Sequence, residues 1–147
     1  MSFQSEVEAW TKKAKSRTQM VLRETIDLAN ERLVMQTPVG DPSLWVMLPA
    51  PDYTPGTLRA NWNFSIGTPD GSVDYTIRDT SGAATMDAIQ AKIPDHITDG
   101  VYFITNSVHY MRKIEFGWSS QAPAGVVRIT AAALPVEVRR YIASFSA

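Results

Sequence analysis

Residues 3 to 36 contain neither glycine nor proline. Nothing in that run interrupts a helix, and its apolar residues keep the helical period. Phe3, Val7, Trp10 and Ala14 recur at steps of four and three, and so do Leu22, Ile26, Ala29 and Leu33. That spacing marks one stripe along a helix. Ser2 or Ser5 is placed to cap the first turn, and Glu6 and Glu8 suit the positive end of the helix dipole. Pro38 and Gly40 end the run. At 1.5 Å per residue the helix would be about 50 Å long. That is long for a domain of 147 residues, so part of the helix is expected to pack on something outside its own core.

Residues 37 to 57 hold five prolines and read as an ordered loop of about twenty residues, a length that is uncommon and often functional. Its apolar run, Leu44 to Leu48, has no helical spacing and needs something to bury it. Trp45 and Leu48 are therefore docking-loop candidates, the alternative being that they fold back over their own sheet. Ala60, Trp62, Phe64 and Ile66 then alternate with Arg59, Asn61, Asn63 and Ser65, and Val73, Tyr75 and Ile77 alternate with polar neighbours. With Pro69-Asp70-Gly71 between them, the two runs predict a β-hairpin with one wet face.

Beyond the hairpin, Ser81 is placed to cap a short helix through Met86, Ile89 and Ile93, ended by Pro94. Val101 to Thr105 reads as a third strand, and His109 to Phe116 as a short helix stopped at Gly117. The last segment is ambiguous. Val126 to Thr130 suits a strand or a helix, Pro135 would kink a continuous helix, and a helix is expected at least from Val136. The expected fold is α+β. A small, mostly antiparallel sheet carries the long N-terminal helix and further helices on one face. Residues 1–147 form a single domain, divided into the helix (1–36), the proline-rich loop (37–57) and an α+β core (58–147).

Composition removes several classes of function. The net charge is −1, which gives no general pull toward nucleic acid or an anionic membrane. With no cysteine and two histidines, thiolate chemistry, disulfides and cysteine-ligated zinc are excluded. His96 in a Pro-Asp-His turn and His109 at a helix start have no positioned partners, so neither reads as a catalytic base. No metal or cofactor motif is present, and the chain is read as non-enzymatic. Asp70, Asp74 and Asp79 do not follow a calcium-loop pattern and are assigned to the wet face of the sheet. Lys12, Lys13, Lys15 and Arg17 share their helix with acids and read as a solvated face. No stretch approaches a membrane span. The polar N-terminus lacks a signal-peptide core, so a cytoplasmic start is expected.

Three motifs, taken in order, resemble the tail-completion proteins of long-tailed bacteriophages. The first joins Thr37-Pro38-Val39-Gly40-Asp41, after a long helix, to Gly56-Thr57-Leu58-Arg59-Ala60-Asn61-Trp62. The second runs Tyr102-Phe103-Ile104-Thr105-Asn106, then Tyr110, then Ile114-Glu115-Phe116-Gly117-Trp118-Ser119. The third is Gln121-Ala122-Pro123-Ala124-Gly125-Val126-Val127-Arg128. The resemblance spans roughly residues 30 to 130, and the enlarged loop at Trp45 to Asp52 and Pro135 depart from it. It implies a structural virion protein, in the host cytoplasm during assembly and at the tail and neck afterwards. Such a protein forms a homo-oligomeric ring, commonly sixfold, at the head-proximal end of the tail. It would contact neck, head-closure and tail tube or terminator proteins, and genomic DNA would pass through its lumen without sequence recognition.

On this resemblance Arg59, Asn61, Asn63, Glu115, Trp118 and Gln121 are interface candidates. For the first three, a solvated sheet face and a surface for a neighbour both stay open. Trp62 shares a face with Phe64 and Ile66 and reads as core. Glu115, an acid at a helix C-terminus, calls for a cation such as Arg59 or Arg128, within or between subunits. Three rival readings remain. A tail terminator would fix tail length, a DNA-binding regulator would use the basic first helix, and a small virion hydrolase would need a catalytic constellation that the sequence does not offer.

Overall fold

The computed structural model describes residues 2–41, 43, 54–97 and 100–145. Trp45 and Leu48 lie outside them. The architecture is α+β, with five helices and two strands among the described residues. Helix α1 spans Phe3–Gln36, and the Ser2 hydroxyl accepts from the Ser5 amide at its start. Helix α2 (Thr57–Ala60) leads into β1 (Asn63–Ile66), and α3 (Ala83–Gln90) is followed by β2 (Tyr102–Thr105). The short α4 (Met111–Glu115) precedes α5 (Val127–Ser144). Among the described residues no helix is long and apolar enough to cross a membrane.

The sheet differs from the expected hairpin. β1 pairs antiparallel with β2, Asn63 opposite Thr105 and Ile66 opposite Tyr102. Residues 72–78 form no strand. Their backbone amides find side-chain acceptors instead: the Asp70 carboxylate takes the Ser72 amide at 3.0 Å, and the Asp74 carboxylate takes the Thr76 amide at 2.8 Å. Such Asx turns compete directly with a ladder. The segment lies across the polar face of the sheet, where Asn63 donates to the Ser72 carbonyl and Ser65 accepts from the Asp70 amide. The face expected to be wet is therefore covered by the chain itself. Arg59 and Asn61 are not on a strand either, Arg59 lying in α2 and Asn61 at its C-cap.

The core forms where the second half of α1 meets the rest. Ile26, Leu33 and Val34 pack with Leu58, Trp62 and Phe64, each fully buried apolar side chain contributing about 1.5–3 kcal/mol. Trp62 is buried, as expected, and its indole N–H donates to the Thr37 hydroxyl at 2.8 Å. The hydroxyl in turn donates to the Leu33 carbonyl at 2.6 Å, so the end of α1 is tied to the start of β1. Helix α5 runs back along α1. Thr130 reaches Gln36, Arg32 pairs with Glu137 at 2.9 Å, and Arg17 donates to the Phe145 carbonyl.

Helix α5 begins nine residues before the expected start and passes through Pro135. Proline deprives the Ala131 carbonyl of its helical donor, but both residues are exposed, so that carbonyl is not buried without a partner. For α3 the cap is Asp79 rather than Ser81 alone. Its carboxylate accepts from the Gly82 amide at 2.7 Å and from the Thr85 amide and hydroxyl at 2.8 Å each. Asp79 is thus buried and structural, not a solubilising residue of a wet face.

Candidate assembly surfaces

The residues of the three motifs come together around the C-terminal end of α1. Gly56 opens α2 with φ +91°, and a Cβ there would lie 3.0 Å from the Asp79 backbone. Only glycine accepts both conditions, and the close approach sets Arg59 beside the chain it clamps. The guanidinium donates to the carbonyls of Met35, Thr37 and Thr80 at 2.6 to 3.2 Å. Burial draws its pKa below the ordinary value, and the negative charge of Asp79 pushes the other way.

Asn61 is 2 % exposed. Its amide donates to the Thr57 and Asp74 carbonyls and accepts from the Asp74 amide. Asn63 donates to Ser72. From the second motif, Asn106 donates to the Leu58 carbonyl at 2.7 Å. These polar side chains hold loops to the core.

Glu115 meets Arg128, the second of the two cations expected, and does so within one subunit at 3.1 Å. The carboxylate also accepts from the amides of Val126, Val127 and Arg128 at 2.7 to 3.0 Å. It caps α5 from a helix that ended twelve residues earlier, which answers the open N-terminal donors of α5. Burial alone would raise its pKa, but the three amides and the guanidinium outweigh it and hold the carboxyl below its usual range. Gly125, at φ +84°, makes room for this: a Cβ there would stand 2.5 Å from the Glu115 carbonyl oxygen.

Trp118 and Gln121 are the two interface candidates with exposed side chains. Trp118 is 75 % exposed, with the Lys113 ammonium 4.8 Å from its ring centre. Beside it Phe116 is 62 % exposed under the guanidinium groups of Arg112 and Arg128, at 6.0 and 5.2 Å. Phe116 belongs to the second motif, and its place at a helix end does not by itself mark it as surface. Its neighbours Arg112 and Lys113 were the available signal. Gln121 borders an open pocket of about 580 Å³ that Thr37, Val39 and Arg59 also line.

His96 is exposed, and His109 meets the Tyr75 hydroxyl through Nδ1 at 2.9 Å. Among the described residues no three histidine, aspartate or glutamate side chains gather as metal ligands would. Comparison of the chain with protein families, with curated proteins and with solved structures finds no match.

Proposed function

We propose that this chain is a structural subunit of a bacteriophage tail. In this reading it is a tail-completion protein that stands in a ring at the head-proximal end and joins the finished tail to the neck of the filled head. DNA passes through the lumen and is not read. One observation supports this above the others: the motifs that carry the resemblance interlock. Arg59 and Trp62 of the first motif hold Thr37, Asn106 of the second holds Leu58, and Glu115 of the second holds the end of the third. Spacing shared with a family means more when the spaced residues form one frame than when they are scattered. A ring subunit also needs a rigid body with apolar surface left over for its neighbours. Here hydrogen bonds between the motifs tie the frame together, and Phe3, Trp10, Phe116 and Trp118 lie outside its core.

In a phage carrying this gene, a stop codon within it should leave filled heads beside separate tails of normal length in electron micrographs. Adding purified protein should restore joined, infectious particles. Tails of aberrant length would make the chain a terminator instead, and normal infectious particles would sink both readings.

A further inference from the structure

Helix α5 runs back along α1 as far as Arg17, which donates to the Phe145 carbonyl and lies over the Phe145 ring at 5.6 Å. Residues 3–16 lie beyond that point and overhang the described end of α5 by about 20 Å. Their described side-chain hydrogen bonds stay within α1 and its cap. Phe3, Val7, Trp10 and Ala14 stripe this overhang, and the first three are 81 %, 44 % and 71 % exposed. Their steps of four, three and four make the seven-residue repeat of paired helices. Arg17, seven residues after Trp10, falls on the same stripe, so the uncovered face continues the one along which α5 lies. Charge is divided along the overhang, with Glu6 and Glu8 toward its start and Lys12, Lys13 and Lys15 toward its end. Glu6 and Lys13 each stand just before a stripe residue, Val7 and Ala14, and so border the stripe on the same side. Among the described residues neither has an ion-pair partner.

We infer that the α1 overhangs of two copies pair antiparallel along this stripe. Two features choose a second copy of the same helix, and both choose one register. The first is size. In an antiparallel pair Phe3 of one copy faces Ala14 of the other, and Trp10 faces Val7, so each layer sets a large side chain against a smaller one. A parallel pair would set Phe3 on Phe3 and Trp10 on Trp10. The second is charge. In the same register Glu6 of each copy stands beside Lys13 of the other, twice by symmetry. Flanking pairs of this kind set partner and orientation, while the aromatic side chains supply the buried area. Phe3 of the second copy reaches Ala14 and stops short of Arg17, so the second helix takes up the face where α5 leaves it. The contact is isologous and closes at two copies. It uses neither Phe116 nor Trp118, and it stands apart from the ring-subunit reading.

The test is sedimentation of the full chain at rising concentration. A contact about 20 Å long is at the small end of stable interfaces, so the parent should form a reversible dimer at high concentration, less so in high salt. Trp10→Asp should lose that dimer, and because Trp10 is exposed its thermal unfolding in dilute solution should match the parent. Glu6→Lys and Lys13→Glu each place two like-charged pairs in the contact, and each should weaken the dimer by about tenfold. The double variant Glu6→Lys with Lys13→Glu keeps the net charge, restores both pairs and should dimerise like the parent. An equal mixture of the two single variants should do the same. A Glu6→Lys protein that dimerises like the parent overturns the inference, and so does a double variant no better than the single ones. A parent that stays monomeric at its highest attainable concentration overturns it too. Binding of that monomer to anionic vesicles, lost in Trp10→Asp, would then make a lipid surface the occupant of the stripe. Joining of heads and tails in the lysate experiment tests the ring subunit separately from all of these outcomes.

Discussion

Along α1 the apolar residues recur at steps of three and four from end to end, yet Leu33 is 7 % exposed and Trp10 is 71 % exposed. The second half of the helix is covered by α2, α3 and α5, and residues 3–16 lie beyond Arg17, which meets Phe145 at the described end of α5. The same pattern therefore has two meanings. At Leu33 it marks a face that the chain buries itself, and at Trp10 a face that stays outside the fold. Periodicity tells which residues share a side of a helix, while the length of the neighbouring elements tells whether that side is covered.

The widest difference between the halves should appear on truncation. Leu33→Ala should cost about 2–5 kcal/mol in urea unfolding, whereas Trp10→Ala should stay within about 0.5 kcal/mol. Equal losses would mean that the two halves are packed alike.

Acid should act on the covered half next. The Asp79 carboxyl caps α3, the helix whose leading Gly82 lies against Val34. Burial works against its charge, but the Thr85, Gly82 and Ser81 donors prevail and hold its pKa at about 2, below the ordinary 3.8. The unfolded chain takes up the proton first. The contribution is thus complete above the ordinary value and is lost as the pH falls through about 2. It amounts to about 2 kcal/mol, and unfolding of Asp79→Asn should lack that part of the acid dependence. An unchanged profile would remove Asp79 as the cap.

A smaller effect should move the boundary between the halves. Glu115→Ala leaves the first amides of α5 without their acceptor, a loss of about 1–2 kcal/mol for a helix cap. Faster amide exchange should follow in α5 and in the part of α1 that it covers, with residues 3–16 unaffected. The smallest effect belongs to Arg17, at the boundary itself. Arg17→Ala should cost less than about 1 kcal/mol and loosen only the end of α5. Loss of protection throughout α1 would show that the overhang is held by more than its own helix.

Much of the frame was legible without coordinates. The extent of α1, the burial of Trp62, the strand at 102–105 and a cation for Glu115 all follow from local pattern or simple electrostatics. The absence of the expected hairpin was not legible, because alternation in residues 72–78 says nothing of competing acceptors. Asp70 and Asp74 capture the amides that a ladder would need. The roles of Arg59, Asn61 and Asn63 were hidden for a related reason. Polar residues read as surface until the carbonyls and amides they satisfy are brought beside them.

By itself the sequence determined where the chain is helical near its start and that it carries no thiol, because both depend on residue type and near neighbours. Only the tertiary structure decided which strand β1 pairs with, that Glu115 caps α5 from another helix, and where the cover on α1 stops. Those depend on which distant segments meet, and a hydrogen-bond donor takes whichever acceptor the fold places within about 3 Å.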